Sequence, residues 1–119
     1  MTYSDHQTSN LHKSQKTHLD QDLATLSPGM VRWDENPERT PLDLTALFGD
    51  KDVWLEIGFG GGEHFVHMAK TYPEIGLIGC EPYINGVAML LGKIRTAGVE
   101  NIAVHPGDAR DLFDVLPPE

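Results

Sequence analysis

Cysteine is nearly absent. Cys80 is the only one in 119 residues, so no disulfide can close within the chain, which fits a reducing cytoplasm. Long apolar runs are missing too. No stretch approaches the roughly 18 consecutive apolar residues of a membrane span. The opening residues, Met-Thr-Tyr-Ser-Asp-His-Gln, lack the apolar centre of a secretory signal. Positive charge is scarce: nine Lys and Arg face 18 Asp and Glu, for a formal net charge of −9. A nucleic-acid surface needs clustered cations to neutralise phosphates, so an RNA partner would have to be held by basic surface from outside this chain. The six histidines are dispersed. His64 and His67 share a helical stretch with no third ligand near, and no metal site is expected. What remains is an acidic chain of one-domain size, with the 39% hydrophobic content of an ordinary soluble globular protein.

Residues 1 to about 12 are polar and aperiodic and read as disordered. Leu19, Leu23 and Leu26 recur at helical spacing, which predicts a short amphipathic helix over 14–26, ended by Ser27-Pro28-Gly29. Residues 30–50 carry Pro37, Pro41 and several charges, and read as an irregular lead-in with a turn near Gly49-Asp50. Trp33 and Trp54 read as core or lead-in packing. From Lys51 the pattern alternates: strands over 53–57, 76–80 and 102–104, helices over 63–71 and 85–97. A last short helix over 111–116 is prepared by Asp108-Ala109-Arg110-Asp111. Strand and helix alternating with short links predict a parallel βαβαβ unit with right-handed crossovers. The chain then divides into a partly disordered N-terminal extension, 1–40, and an α/β unit, 41–119.

Three acids and a glycine cluster stand where such a unit carries chemistry. Gly58-Phe59-Gly60-Gly61-Gly62 follows the first strand. Glycines permit the sharp turn into a helix and let a ligand approach the backbone, although a plain tight turn would look similar. Gly58 and Gly60 fit a dinucleotide G-x-G-x-x-G pattern, but Glu63 occupies the place of its last glycine. A carboxylate there opposes a pyrophosphate at the helix N-terminus, whereas a methionine-derived cofactor carries no phosphate. Glu56 interrupts an otherwise apolar strand and reads either as an outward-facing residue or as a partner for the cationic methionine end of a cofactor. Glu81 closes the second strand 23 positions after Gly58. A carboxylate at about that separation accepts hydrogen bonds from ribose hydroxyls; the plainer alternative is a solvated loop acid. Pro82 helps fix that turn. Asp108 follows the third strand, where it could accept from an adenine amino group while the backbone amide of Ala109 donates to the ring, or could simply cap the next helix. Cys80, at the end of an apolar strand, reads as packing rather than as a nucleophile.

These residues resemble a family. Val53-Trp54-Leu55-Glu56-Ile57-Gly58-Phe59-Gly60-Gly61-Gly62-Glu63-His64 is similar to the first cofactor motif of the bacterial tRNA (guanine-N7)-methyltransferases. Ile78-Gly79-Cys80-Glu81-Pro82-Tyr83-Ile84-Asn85-Gly86-Val87 resembles their second block, and residues 101–112 their third. The resemblance implies an incomplete Rossmann-like class I methyltransferase fold, with about three parallel strands and flanking helices. It implies S-adenosyl-L-methionine as cofactor, held by Glu56, Gly58, Gly60, Glu81, Pro82, Asp108 and Ala109, and methyl transfer to N7 of a variable-loop guanine in tRNA. The family's Pro-Asp-Pro-Trp-type catalytic segment and its basic tRNA-holding segments have no counterpart here. Catalytic residues are therefore expected beyond Glu119. The chain is expected to be truncated, to have little activity alone, to bind tRNA weakly or not at all, and to pair with a missing C-terminal half. Alternatives are a small-molecule methyltransferase, an NAD-dependent oxidoreductase, or a non-catalytic half-domain that binds a partner.

Overall fold

The computed structural model describes residue 19 and residues 21–117; the disorder expected for residues 1 to 12 and the first turn of the helix expected from residue 14 fall outside them. Three apolar runs form the strands β1 (Asp52–Ile57), β2 (Ile75–Cys80) and β3 (Ile102–His105). They pair in parallel in the order β1-β2-β3. Helices α1 (Leu44–Phe48), α2 (Glu63–Thr71), α3 (Ile84–Ala97) and α4 (Ala109–Phe113) accompany them. The incomplete Rossmann-like architecture expected from the sequence is the one observed.

Register sets up everything that follows. Ile57 is the partner of Cys80, and Cys80 the partner of His105. The strands end level, and the segments leaving them emerge along one edge. β3 runs one residue further than expected because the His105 carbonyl accepts the Glu81 N–H at 3.2 Å, which prolongs the ladder.

β2 is buried on both faces, as befits the central strand of a covered parallel sheet. On one face Leu77, Ile102 and Val104 meet Phe65, Val66 and Ala69 of α2 and Val87, Leu90, Leu91 and Ile94 of α3. On the other, Ile78, Cys80 and Ala103 meet Val31, Leu42, Phe48, Leu112 and Val115. Each such large side chain, fully buried, stabilises the fold by about 1.5–3 kcal/mol. Residues 21–25 are helical, and Leu19 and Leu23 insert into the first of these cores. Arg95 of α3 ties that segment down through Asp22 at 2.7 Å.

Residues 30–50 are less irregular than their prolines suggest. Asp43 caps α1 by accepting from the Ala46 N–H at 3.0 Å, and Gly49 ends it at φ +65°, a value that favours glycine. Asn36 is buried and bonds both the N–H and the carbonyl of Thr40. Arg39 sits at φ +53°, a strained position for a residue with a side chain. Its guanidinium holds it there, donating to the Val31 carbonyl at 2.6 Å and to the Asp111 carbonyl, and lying 4.4 Å above the Trp33 ring. Trp33 thus packs within the lead-in. Trp54 is not a core residue: it lies on edge strand β1, 41% exposed, against Tyr72. The last helix ends at Phe113 rather than at residue 116, and a turn from Leu112 to Val115 returns the chain to Leu42.

Candidate cofactor-binding site

The turn after β1 is built from opposing demands. Gly58, Gly60 and Gly62 have φ of +69°, +61° and +88°, values that residues with side chains rarely adopt. Phe59 between them points inward and stacks on Phe65, with ring centroids 5.5 Å apart. The aromatic anchors the turn while the glycines bend around it. The Gly58 N–H still bonds the Cys80 carbonyl at 2.8 Å, so the turn begins in register with the sheet.

Glu81, leaving β2, reaches this turn directly. Its Oε1 accepts from the Gly60 N–H at 3.1 Å and its Oε2 from the Tyr83 N–H at 3.2 Å. Each carboxylate oxygen keeps a further acceptor position. α3 then starts so close to the turn that a Cβ on Gly86 would fall 2.5 Å from the Gly60 carbonyl oxygen. Gly60 is thereby tied to the Glu81 side chain, and Gly58 to the Cys80 carbonyl just before it. Pro82 lies exposed in the short link to α3.

Glu56 lies beside Gly79 in the register, on the face where Phe59 and Phe65 stack. It is half-buried, and among the described residues its carboxylate has no hydrogen-bond or ion-pair partner. Asp108 stands at the third strand tip and makes no direct bond to Glu81 or to the glycine turn. It caps α4 by accepting from the Arg110 N–H at 2.8 Å, and it pairs with the Arg110 guanidinium at 2.7 Å. The Arg110 side chain, then its N–H, hold the Asp108 carboxyl down at about 2. Ala109 follows, half-buried against the core beneath α4. Cys80, 1% exposed, has its thiol pushed up to about 12 by burial and secondarily by the Asp108 charge, so it stays protonated and serves packing. Among the described residues no group of His, Cys, Asp and Glu is placed to hold a metal ion.

Three residues have no role of their own assigned from the sequence: Gly86, Lys93 and His105. Only Gly86 offered a signal, since a glycine inside a helical pattern often marks a close backbone approach. A groove of about 690 Å³ runs along the outer side of α2 and α3, lined by Glu63, His67, Lys70, Met89 and Lys93 among others. Through Lys93, which reaches the Gly61 carbonyl at 2.8 Å, one end of it adjoins the glycine turn.

A parallel sheet with a glycine turn after its first strand and an acid bonded to that turn from its second defines a Rossmann-like unit. Residues 50–119 match the family model described as "Putative methyltransferase", and the chain belongs to that methyltransferase family. A curated tRNA (guanine-N(7)-)-methyltransferase from Jannaschia sp. is 71% identical over 107 residues, which is 90% of this chain and 45% of that protein. The one from Roseobacter denitrificans is 73% identical over 107 residues, 90% of this chain and 46% of its own length. The chain spans less than half the length of these relatives. A solved structure described as an antibiotic related methyltransferase superimposes with a TM-score of 0.52 at 22% identity, over 64% of this chain and 44% of that one, a likeness of fold. No helix among the described residues is long and apolar enough to cross a membrane.

Proposed function

We propose that this chain supplies the S-adenosylmethionine-binding side of a tRNA (guanine-N7)-methyltransferase. The observation that carries the reading is the bond between the Gly60 N–H and the Glu81 carboxylate. It places an acceptor with spare capacity against a turn whose one side chain, Phe59, points into the core and leaves the glycines open to a ligand. The bound cofactor would supply a methyl group on a positively charged sulfur.

Toward that group, the chain's own residues have separable tasks. Glu81 accepts from the ribose hydroxyls. Glu56, half-buried and without a cation of its own among the described residues, faces the methionine end and offsets its positive charge. Asp108 and the Ala109 amide serve the adenine side, with Arg110 keeping Asp108 ionised and oriented. Glu63, first residue of α2, disfavours the pyrophosphate of a dinucleotide. We assign no residue of this chain to the guanine. With a net charge of −9, it also contributes little to tRNA affinity.

Calorimetry of the chain with S-adenosylhomocysteine and with NAD tests the reading. Saturable binding of the former, weakened about tenfold or more in Glu81→Gln through loss of hydrogen bonds to a charged acceptor, is expected. Preferential binding of NAD, or full affinity in Glu81→Gln, would overturn it.

A further inference from the structure

The glycine turn is held from a second side. Lys93, on α3, donates from Nζ to the Gly61 carbonyl at 2.8 Å. Among the described residues its one carboxylate neighbour is Glu63 at 3.8 Å, and that side chain is 87% exposed, so the ion pair adds little. The carbonyl is the lysine's principal partner. Resting on the cofactor reading above, we propose that Lys93 is a positioning residue for the turn that receives the cofactor.

The physical case starts from softness. A segment with four glycines in five residues has little intrinsic preference for one arrangement of its peptide planes. Glu81 fixes the N–H of Gly60 from the tip of β2. Lys93 fixes the carbonyl of Gly61, the next residue, from the opposite element. With both bonds made, neither the 59–60 peptide, which carries the Gly60 N–H, nor the 61–62 peptide, which carries the Gly61 carbonyl, can flip without breaking a charge-assisted bond. Gly61 supplies independent support. Its backbone, unlike that of Gly58, Gly60 and Gly62, is not in the left-handed region, so the turn itself does not require glycine there. A Cβ at that position would stand 3.2 Å from Lys93 Nζ and 3.1 Å from Met89 Cε. The absent side chain leaves room for the ammonium to reach the carbonyl.

The test compares Lys93→Met, Lys93→Arg and, as a control in the same groove, Lys70→Met. Affinity for S-adenosylhomocysteine is read by calorimetry, the unfolding temperature in parallel, and amide hydrogen exchange at Gly60 and Gly62 by NMR. Lys93→Met is expected to weaken binding about fivefold or more while its unfolding temperature stays within about 2 °C. Lys93→Arg should recover most of that affinity, Lys70→Met should match the parent chain, and exchange at the two glycine amides should quicken in Lys93→Met alone. Unchanged affinity in Lys93→Met, or a loss that follows the unfolding temperature and is not rescued by arginine, overturns the proposal. If the parent chain binds no S-adenosylhomocysteine, the cofactor reading fails by itself. Exchange at Gly60 and Gly62 then decides the role of Lys93: faster exchange in Lys93→Met supports the clamp, and unchanged exchange refutes it.

Discussion

His105 closes β3 at 2% exposure, and among the described residues its Nε2 has no hydrogen-bond partner. Burial holds its pKa below the ordinary histidine value, against the opposing pull of the Asp108 backbone and the charges of Asp111, Glu35 and Asp108. The unfolded chain therefore binds this proton more readily than the folded one. Stability from the neutral imidazole is complete above the unfolded value of about 6.5 and is lost as pH falls from there through the lowered folded value. Urea midpoints at pH 7.5 and 5.5 should show the parent chain weaker at the lower pH, with a smaller difference in His105→Gln. An equal drop in both would exclude His105 as the cause. Glu56, Glu81 and Asp108 could be singled out in the sequence because each interrupts an apolar or glycine-rich stretch. Lys93 and His105 could not. Nothing in their neighbours marks one as the partner of a carbonyl 32 residues away, or the other as buried.

At the scale of the elements, Asn101 ties three of them together. Its Nδ2 donates toward the carbonyls of Ala69, Tyr72 and Ile75 at 3.2, 3.2 and 2.8 Å. The first of these is an orphan of the sequence. The carbonyl of Ala69 would bond the N–H of residue 73, but Pro73 has none. Asn101 thus satisfies the end of α2, the start of β2 and the approach to β3 with one amide. Asn101→Leu should lower stability by about 2–3 kcal/mol, as expected when buried carbonyls lose their donor. Asn101→Asp should lower it further, because a carboxylate would face carbonyls with nothing to donate; chemical denaturation of the two variants decides this. The strand and helix alternation was legible because its apolar runs are long and its breakers sharp. α1 was not, since five residues give one turn of periodicity and its signal is a cap, Asp43, rather than a pattern. The Arg39 clamp depends on contacts with Val31 and Asp111, for which sequence spacing holds no information.

For the molecule as a whole, the two sheet edges differ. The N-terminal segment lies along β3, where the Val104 N–H bonds the Leu26 carbonyl at 2.8 Å. Among the described residues no strand covers the outer edge of β1, where Trp54 and Ile57 are 41% and 56% exposed. At the strand tips, the charge of −9 disfavours a polyanion, in keeping with the proposed small cofactor. The most direct measurement is an amide NMR titration of the chain with S-adenosylhomocysteine. The amides of Gly58, Gly60, Glu81, Asp108 and Ala109 are expected to shift together and saturate at one ligand concentration. Shifts confined to the outer groove at Met89 and Thr96, with those five amides unmoved at saturation, would contradict a cofactor seated at the strand tips.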